Sequence, residues 1–204
     1  MRIVDLSRHE NPNRYLEYYK ISEGDIILDI GAHLGEETIP WSKMVGETGE
    51  IISIEPNPII FETLKNNTNH LNNVICLMLG IFDEDGTKDL AIRVTSSSCG
   101  YIGDYPPIES YYKNSKIITL DSLIKELKLN SIDFLKMDIE GSEIKALEGG
   151  KEAFKIIKQV AIEGEHPISP GHKLSKYEVA KILKEYNFDV KTEDNIVYGS
   201  NQNI

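Results

Sequence analysis

Apolar residues along this chain fall into short, nearly unbroken runs: IIL at 26–28, IISIE at 51–55, VICLML at 74–79, IDFLKMD at 132–138 and VAIE at 160–163. Between and after them lie stretches with helical character, at 36–45, 57–69, 121–128, 142–148 and 175–186. This alternation predicts βαβ units. Strands without in/out alternation are buried on both faces, as in a parallel sheet covered by helices. Asp121 is placed to cap the third helix, and Gly149 and Gly150 to stop the fourth. The tail FDVKTEDNIVYGSN reads as two short strands around a polar turn, an antiparallel addition to the sheet edge. The expected fold class is α/β, a doubly wound and mostly parallel sheet of about seven strands with an antiparallel C-terminal strand.

Two stretches depart from the rhythm. In residues 1–23, Tyr15, Leu16, Tyr18 and Tyr19 follow Asn11 and Pro12 and suit a short helical extension packed on the main domain, residues 24–204. Residues 95–116 have no periodicity and carry Tyr101, Tyr105, Tyr111 and Tyr112. They read either as a substrate lid, with tyrosine walls presenting apolar area and a polar tip, or as a bare surface loop.

Composition narrows the function classes. Hydrophobic residues make up 40% of the 204 and are spread along the chain, with no run approaching the roughly 18 apolar residues of a membrane span. The first residues have no apolar h-region, so the expectation is a cytoplasmic protein without a membrane partner. Cys76 and Cys99 form no CxxC pair, which speaks against a disulfide framework or a cysteine-built zinc site. A net charge of −11 repels a phosphate backbone, so no nucleic-acid partner is expected.

The segment DIILDIGAHLGEE sets a glycine-containing turn between a strand and a helix, where backbone amides converge and a side chain would obstruct a close-lying ligand. Gly31 and Gly35 are spaced GxxxG, whereas a dinucleotide site shows GxGxxG. Glu36 and Glu37 follow at once and place negative charge where a pyrophosphate would sit. A cationic ligand without phosphates suits this loop better. S-adenosylmethionine (SAM), with its sulfonium and ammonium, is one, and Asp29 then attracts it. Glu55 ends the next strand, where a carboxylate accepts hydrogen bonds from both ribose hydroxyls of an adenosine, with Pro56 and Asn57 flanking the adenine. Either feature alone also has a plain structural reading, as a turn glycine or a helix-capping acid.

LDIGAHLG with IEPNP resembles motif I and the following acidic strand end of class I SAM-dependent methyltransferases, which have a Rossmann-like fold. LGIFDEDGT (79–87), TLDSLIKE (119–126) and IDFLKMDIEGSEIKALEGG (132–150) resemble, in order, segments of the FkbM-like family; the resemblance spans about residues 24–166. It implies O-methylation of a small-molecule or sugar acceptor, with cofactor contacts from Asp29, Gly31, Ala32, His33, Gly35, Glu55, Pro56, Asn57, Ile81 and Asp83. In LGIF the acid that many superfamily members use to bind the adenine amino group is missing, and Asp83 is the candidate replacement.

Methyl transfer to a hydroxyl needs a positioned nucleophile and a proton acceptor. Lys136, Asp138 and Glu140 share a face at the carboxyl end of the fourth strand if it stays extended, with Glu163 and His166 as neighbours from the next strand. The expected catalytic residues are Asp138, His166 and Glu140, with Asp138 or His166 as the base. Lys136 reads as structural, and the whole cluster also has a reading as a salt-bridge network that fixes the strand ends. The same acids and imidazole would suit Mg or Mn, although their spacing specifies no metal. His33 is expected to contact the methionine end of SAM, and His9, His70 and His172 to lie on the surface. DYPP at 104–107 superficially resembles the (D/N)PPY signature of amine methyltransferases, in the wrong order. The alternatives are a non-catalytic SAM-binding module and an N-methyltransferase.

Overall fold

In the computed structural model, which describes residues 14–92, 100–102, 110–165 and 174–204, the apolar runs become strands and the stretches between them become helices. In chain order these are β1 (Ile26–Ile30), α1 (Thr38–Val45), β2 (Glu50–Ile54), α2 (Pro58–Thr68), β3 (Val74–Leu77), β4 (Gly80–Ile81), β5 (Gly86–Ile92), β6 (Gly100–Ile102) and β7 (Ser110–Ile118). Then follow α3 (Leu120–Leu127), β8 (Ile132–Met137), α4 (Glu143–Glu148), β9 (Ile157–Glu163), α5 (Lys176–Glu185), β10 (Phe188–Glu193) and β11 (Ile196–Asn201).

Seven strands form the main sheet in the order β10-β11-β9-β8-β1-β2-β3. From β9 across to β3 every pair is parallel, and β11 runs antiparallel to both β9 and β10. The expected α/β sheet with an antiparallel C-terminal strand is present, and the hairpin's second strand, not its first, joins the parallel body.

Side chains alternate between two cores, as a pleated strand requires. Leu28, Ile30, Ile52, Ile54, Leu135 and Met137 pack on one face with Leu120 and Leu123 of α3, Leu147 of α4 and Leu183 of α5. Ile27, Ile51 and Phe134 pack on the other with Trp41 and Val45 of α1 and with Tyr15. Burial on both faces explains why the sequence of β1 and β2 shows no polar alternation.

Several expectations change in detail. The run at 74–79 is not one strand: it ends at Leu77, and β4 joins a second, four-stranded sheet in the order β4-β7-β5-β6. Two of these strands, β6 and β7, occupy Gly100–Ile102 and Ser110–Ile118, so the stretch from 95 to 116 is not structureless throughout. Residues 95–99 and 103–109, Tyr105 among them, lie outside the described residues, and with them the lid reading. Thr119, not Asp121, caps α3, its Oγ1 accepting from Ser122 N at 3.1 Å. Asp121 Oδ1 instead accepts from the amides of Glu152 and Ala153, both at 2.8 Å. In the N-terminal extension, residues 1–13 lie outside the described residues, and Arg14–Leu16 form a single 3₁₀ turn. Among the described residues, no helix is long and apolar enough to cross a membrane.

Candidate active site

The chain leaves β1 toward β2 on one side of the sheet, while β8 lies on the other. That reversal opens a crevice at the carboxyl ends of the strands. A cavity of about 280 Å³ lies there, walled by the segments that follow β1, β2, β8 and β9, by Leu79, Gly80 and Ile81, and by Arg14 from the N-terminal turn.

The loop after β1 is glycine-dependent for a reason other than ligand clearance. Gly31 has φ +78°, and a Cβ there would stand 1.8 Å from the Asp138 carbonyl oxygen. The close approach of two neighbouring strand ends therefore demands glycine. Nor do the loop amides converge on open space. Gly31 N and Ala32 N both donate to the Ile54 carbonyl, at 2.9 and 3.0 Å, and Gly35 N to the Ala32 carbonyl at 2.8 Å. His33 N donates to Glu55 Oε2 at 3.2 Å, and Leu34 N to Glu36 Oε2 at 3.1 Å. Five successive N–H groups are thus spent inside the protein, two of them on carboxylates. A phosphate, which binds such loops through their amides, finds none of these five available.

Acids dominate the wall. Among the described residues, Glu36, Glu37, Glu55, Asp138, Glu140, Glu163 and Glu165 line the cavity, against Arg14 and Lys136 as cations. Burial pushes the Glu37 and Glu55 carboxyls above the usual range, the latter opposed by hydrogen bonds from the Asn57 and His33 amides. Glu36 Oε1 stands 3.0 Å from Nδ1 of His33, which holds φ +48° in the loop.

Asp29 lies beneath this wall with no exposed surface. Its Oδ2 accepts from Thr38 Oγ1 at 2.6 Å, and Lys136 Nζ reaches its Oδ1 at 3.2 Å and the Gly31 carbonyl at 2.7 Å. Burial works against the Lys136 charge, but Asp29, Glu37 and Asp138 hold the ammonium well above its ordinary value. Lys136 therefore clamps the loop after β1 to β8.

Of the expected cofactor residues, Gly31, His33, Glu55, Pro56 and Ile81 line the cavity. Ala32 packs in a small core with Phe61 and Leu64, and Gly35 abuts Leu64 and Ile39. Asn57 turns away to cap α2, its Oδ1 accepting from Ile59 N at 3.1 Å. Asp83 is not on the wall, and its carboxylate takes Lys145 Nζ at 2.9 Å.

At the reacting end, Asp138 and Glu140 both line the cavity, but not through an extended strand: β8 ends at Met137, and Glu140 has φ +57° in the turn before α4. His166 lies outside the described residues. The residues that sequence reading passed over are Arg14 and Tyr15. Tyr15 OH donates to Asp138 Oδ2 at 2.8 Å, while Arg14 reaches Asp138 Oδ2 at 3.4 Å and Glu163 Oε1 at 2.9 Å. Tyr15 is fully buried. Nothing in MRIVDLSRHENPNRYLEYYK marks these two as site residues, because only the tertiary fold brings the N-terminal turn over the strand ends.

A cationic, phosphate-free nucleoside suits this chemistry. The acidic wall attracts a sulfonium and an ammonium, and Glu55, fixed by two backbone amides, presents its carboxylate to the cavity. Among the described residues, no group of three or more His, Cys, Asp or Glu is placed to hold a metal ion.

Known proteins agree with the geometry. Over 203 residues the chain is 24% identical to the hexuronic acid methyltransferase AglP of Haloferax volcanii, covering 99% of this chain and 81% of that protein. Its fold is similar to a SAM-dependent methyltransferase from Aquifex aeolicus (TM-score 0.56, 19% identity, 93% of this chain and 88% of that one). It is also similar to methyltransferase FkbM from Methylobacillus flagellatus (TM-score 0.58, 22% identity, 89% of this chain and 45% of that one). The family model of the methyltransferase FkbM domain matches residues 29–190, most of the chain, and runs past residue 166, where the sequence resemblance ends. With its site at the switch point of a seven-stranded sheet, the chain belongs to the FkbM family of SAM-dependent methyltransferases.

Proposed function

We propose that this enzyme methylates an oxygen of a small hydroxylated acceptor, a sugar or sugar acid, in the cavity at the carboxyl ends of β1 and β8. The observation that carries the reading is the composition of that cavity: an acidic wall and a loop whose amides are already spent, beside a contacting pair of carboxyl groups. The name of the Haloferax relative supports a sugar acid as the acceptor class.

SAM, when bound, supplies a methyl group on a positively charged sulfur that is open to in-line attack. In this reading Glu55 receives the ribose hydroxyls, Pro56 and Ile81 flank the adenine, and Gly31 and His33 border the methionine end. Asn57 and Asp83 are left out of the cofactor set because their side chains are engaged elsewhere. Asp29 acts from below, through Thr38 and Lys136, to hold the loop in place. The acceptor faces Asp138, Glu140 and Glu163, whose carboxyl oxygens accept hydrogen bonds from its hydroxyls and orient them.

Methyl-labelled SAM offered with a panel of hexoses and hexuronic acids tests the reading. Label is expected in the hexuronic acids. SAM binding without label in any oxygen acceptor would count against it. Saturating SAM should also raise stability by roughly 2.7 kcal/mol at a hundredfold excess over its dissociation constant.

A further inference from the structure

We infer that Glu163 takes the proton of the acceptor hydroxyl, with Asp138 as its positioning partner and Arg14 as the charge that tunes it. This rests on the proposed transfer to oxygen. Met137 of β8 and Ile162 of β9 are paired in register, so Asp138, the first residue past β8, and Glu163, the last of β9, come side by side at the cavity wall. Their carboxyl groups act on each other at close range and share the Arg14 guanidinium.

The two are not equivalent. Asp138 accepts from Tyr15 OH at 2.8 Å and lies 3.4 Å from Arg14 Nη2. Although burial works the other way, Lys136, the bonds from Glu163 and Tyr15, and Arg14 hold its carboxyl below the usual range. A carboxylate so well satisfied is a weak base. Glu163 meets Arg14 Nη1 at 2.9 Å on one side and the Asp138 anion on the other. Among the described residues, the charged and titratable groups that face it are Asp138 just past β8, Arg14 and Tyr15 on the N-terminal turn, and Glu165 beyond β9. Burial, then the charge and hydrogen bond of Asp138, push the Glu163 carboxyl up to about 8, with Arg14 pulling it down and Glu165 adding to the rise. Near neutrality a fraction of the enzyme holds Glu163 ionised, and in that form it is a stronger base than an ordinary carboxylate. At lower pH the Arg14 contact is made to a neutral carboxylic acid whose O–H points to the Asp138 carboxylate.

In the transfer, the acceptor oxygen forms its bond to the methyl carbon as the sulfur–methyl bond breaks. The electron pair of that bond stays on sulfur, and the hydroxyl proton goes to the Glu163 carboxylate.

The test uses the full chain with saturating SAM. Carboxyl ¹³C NMR, with the Glu163 resonance identified by its loss in Glu163→Gln, is expected to show a titration centred near 8. Asp138→Asn should move that midpoint down and Arg14→Gln should move it up. With glucuronic and galacturonic acid as acceptors, kcat/KM should rise with pH through the same midpoint. Glu163→Gln should lower it about 10²–10⁴-fold with SAM affinity unchanged, which also shows that the variant folds. A Glu163 midpoint in the ordinary carboxylate range would overturn the assignment. So would wild-type turnover in Glu163→Gln, or equal shifts in both neighbouring variants. Wild-type enzyme that binds SAM but labels no oxygen acceptor would refute the proposed function instead.

Discussion

Replacing Lys136 by Met removes an ammonium from between β1 and β8 while keeping an unbranched side chain in its place. Lys136 is 2% exposed and Asp29 not at all, so the carboxylate would lose its cation without gaining water. Removing one partner of a buried ion pair costs about 3–5 kcal/mol, most of it the penalty of the charge left behind. The Gly31 carbonyl loses its 2.7 Å donor at the same time. For a chain of this length each kcal/mol moves Tm by about 2–4 °C, so the expected drop is roughly 6–20 °C. Thermal and urea unfolding followed by circular dichroism would measure it. The double variant Asp29→Asn/Lys136→Met removes both charges, and the amide oxygen that replaces the Asp29 carboxylate can still accept from Thr38 Oγ1, so it should recover more than half of the loss. A single variant that loses less than about 1 kcal/mol, or a double variant whose loss is the sum of the two singles, would refute the clamp.

Other outcomes follow from the same geometry. Gly31→Ala forces a Cβ to within 1.8 Å of the Asp138 carbonyl oxygen in a left-handed backbone; the conformation alone costs roughly 1–2 kcal/mol, and the overlap should add to it and weaken SAM binding. Unchanged unfolding would contradict the close approach. Asn57→Ala should cost about 0.5–2 kcal/mol as a lost helix cap yet leave the SAM dissociation constant unchanged, since calorimetry would detect a loss only if Asn57 touched the adenine. Glu163 also makes stability depend on pH. Its folded value is raised above its unfolded one, so its contribution is complete below the ordinary carboxylate range and fades as pH rises through about 8. Gln does not titrate, and the Tm of Glu163→Gln relative to wild type should therefore climb between pH 5 and 9.

The parallel sheet was legible because its strands are buried twice over: Ile26–Ile30 and Glu50–Ile54 announce themselves by apolar runs alone. The second sheet was not. In β5, Lys88 and Asp89 sit among apolar residues and a register shift falls between Lys88 and Leu90, so no clean period survives. At the site, order and spacing located Gly31 and Glu55, but the reason for Gly31 lies in the Asp138 carbonyl more than a hundred residues away. Asn57 was expected at the adenine because it follows Glu55, and Asp83 because LGIF lacks an acid; in the structure their side chains engage local partners, the α2 amides and Lys145. Arg14 and Tyr15 reach Asp138 over a sequence separation that no local pattern encodes.

The acidic wall and the engaged loop amides favour a cationic nucleoside over a phosphate ligand in this cavity. Isothermal titration of the wild-type chain and Glu55→Ala with SAM, and of the wild type with NAD and a uridine diphosphate sugar, tests that preference directly. SAM should bind the wild type, Glu55→Ala should lose or strongly weaken that binding, and neither phosphate ligand should bind. Absence of SAM binding at millimolar concentration, or binding of NAD at the same site, would contradict the preference.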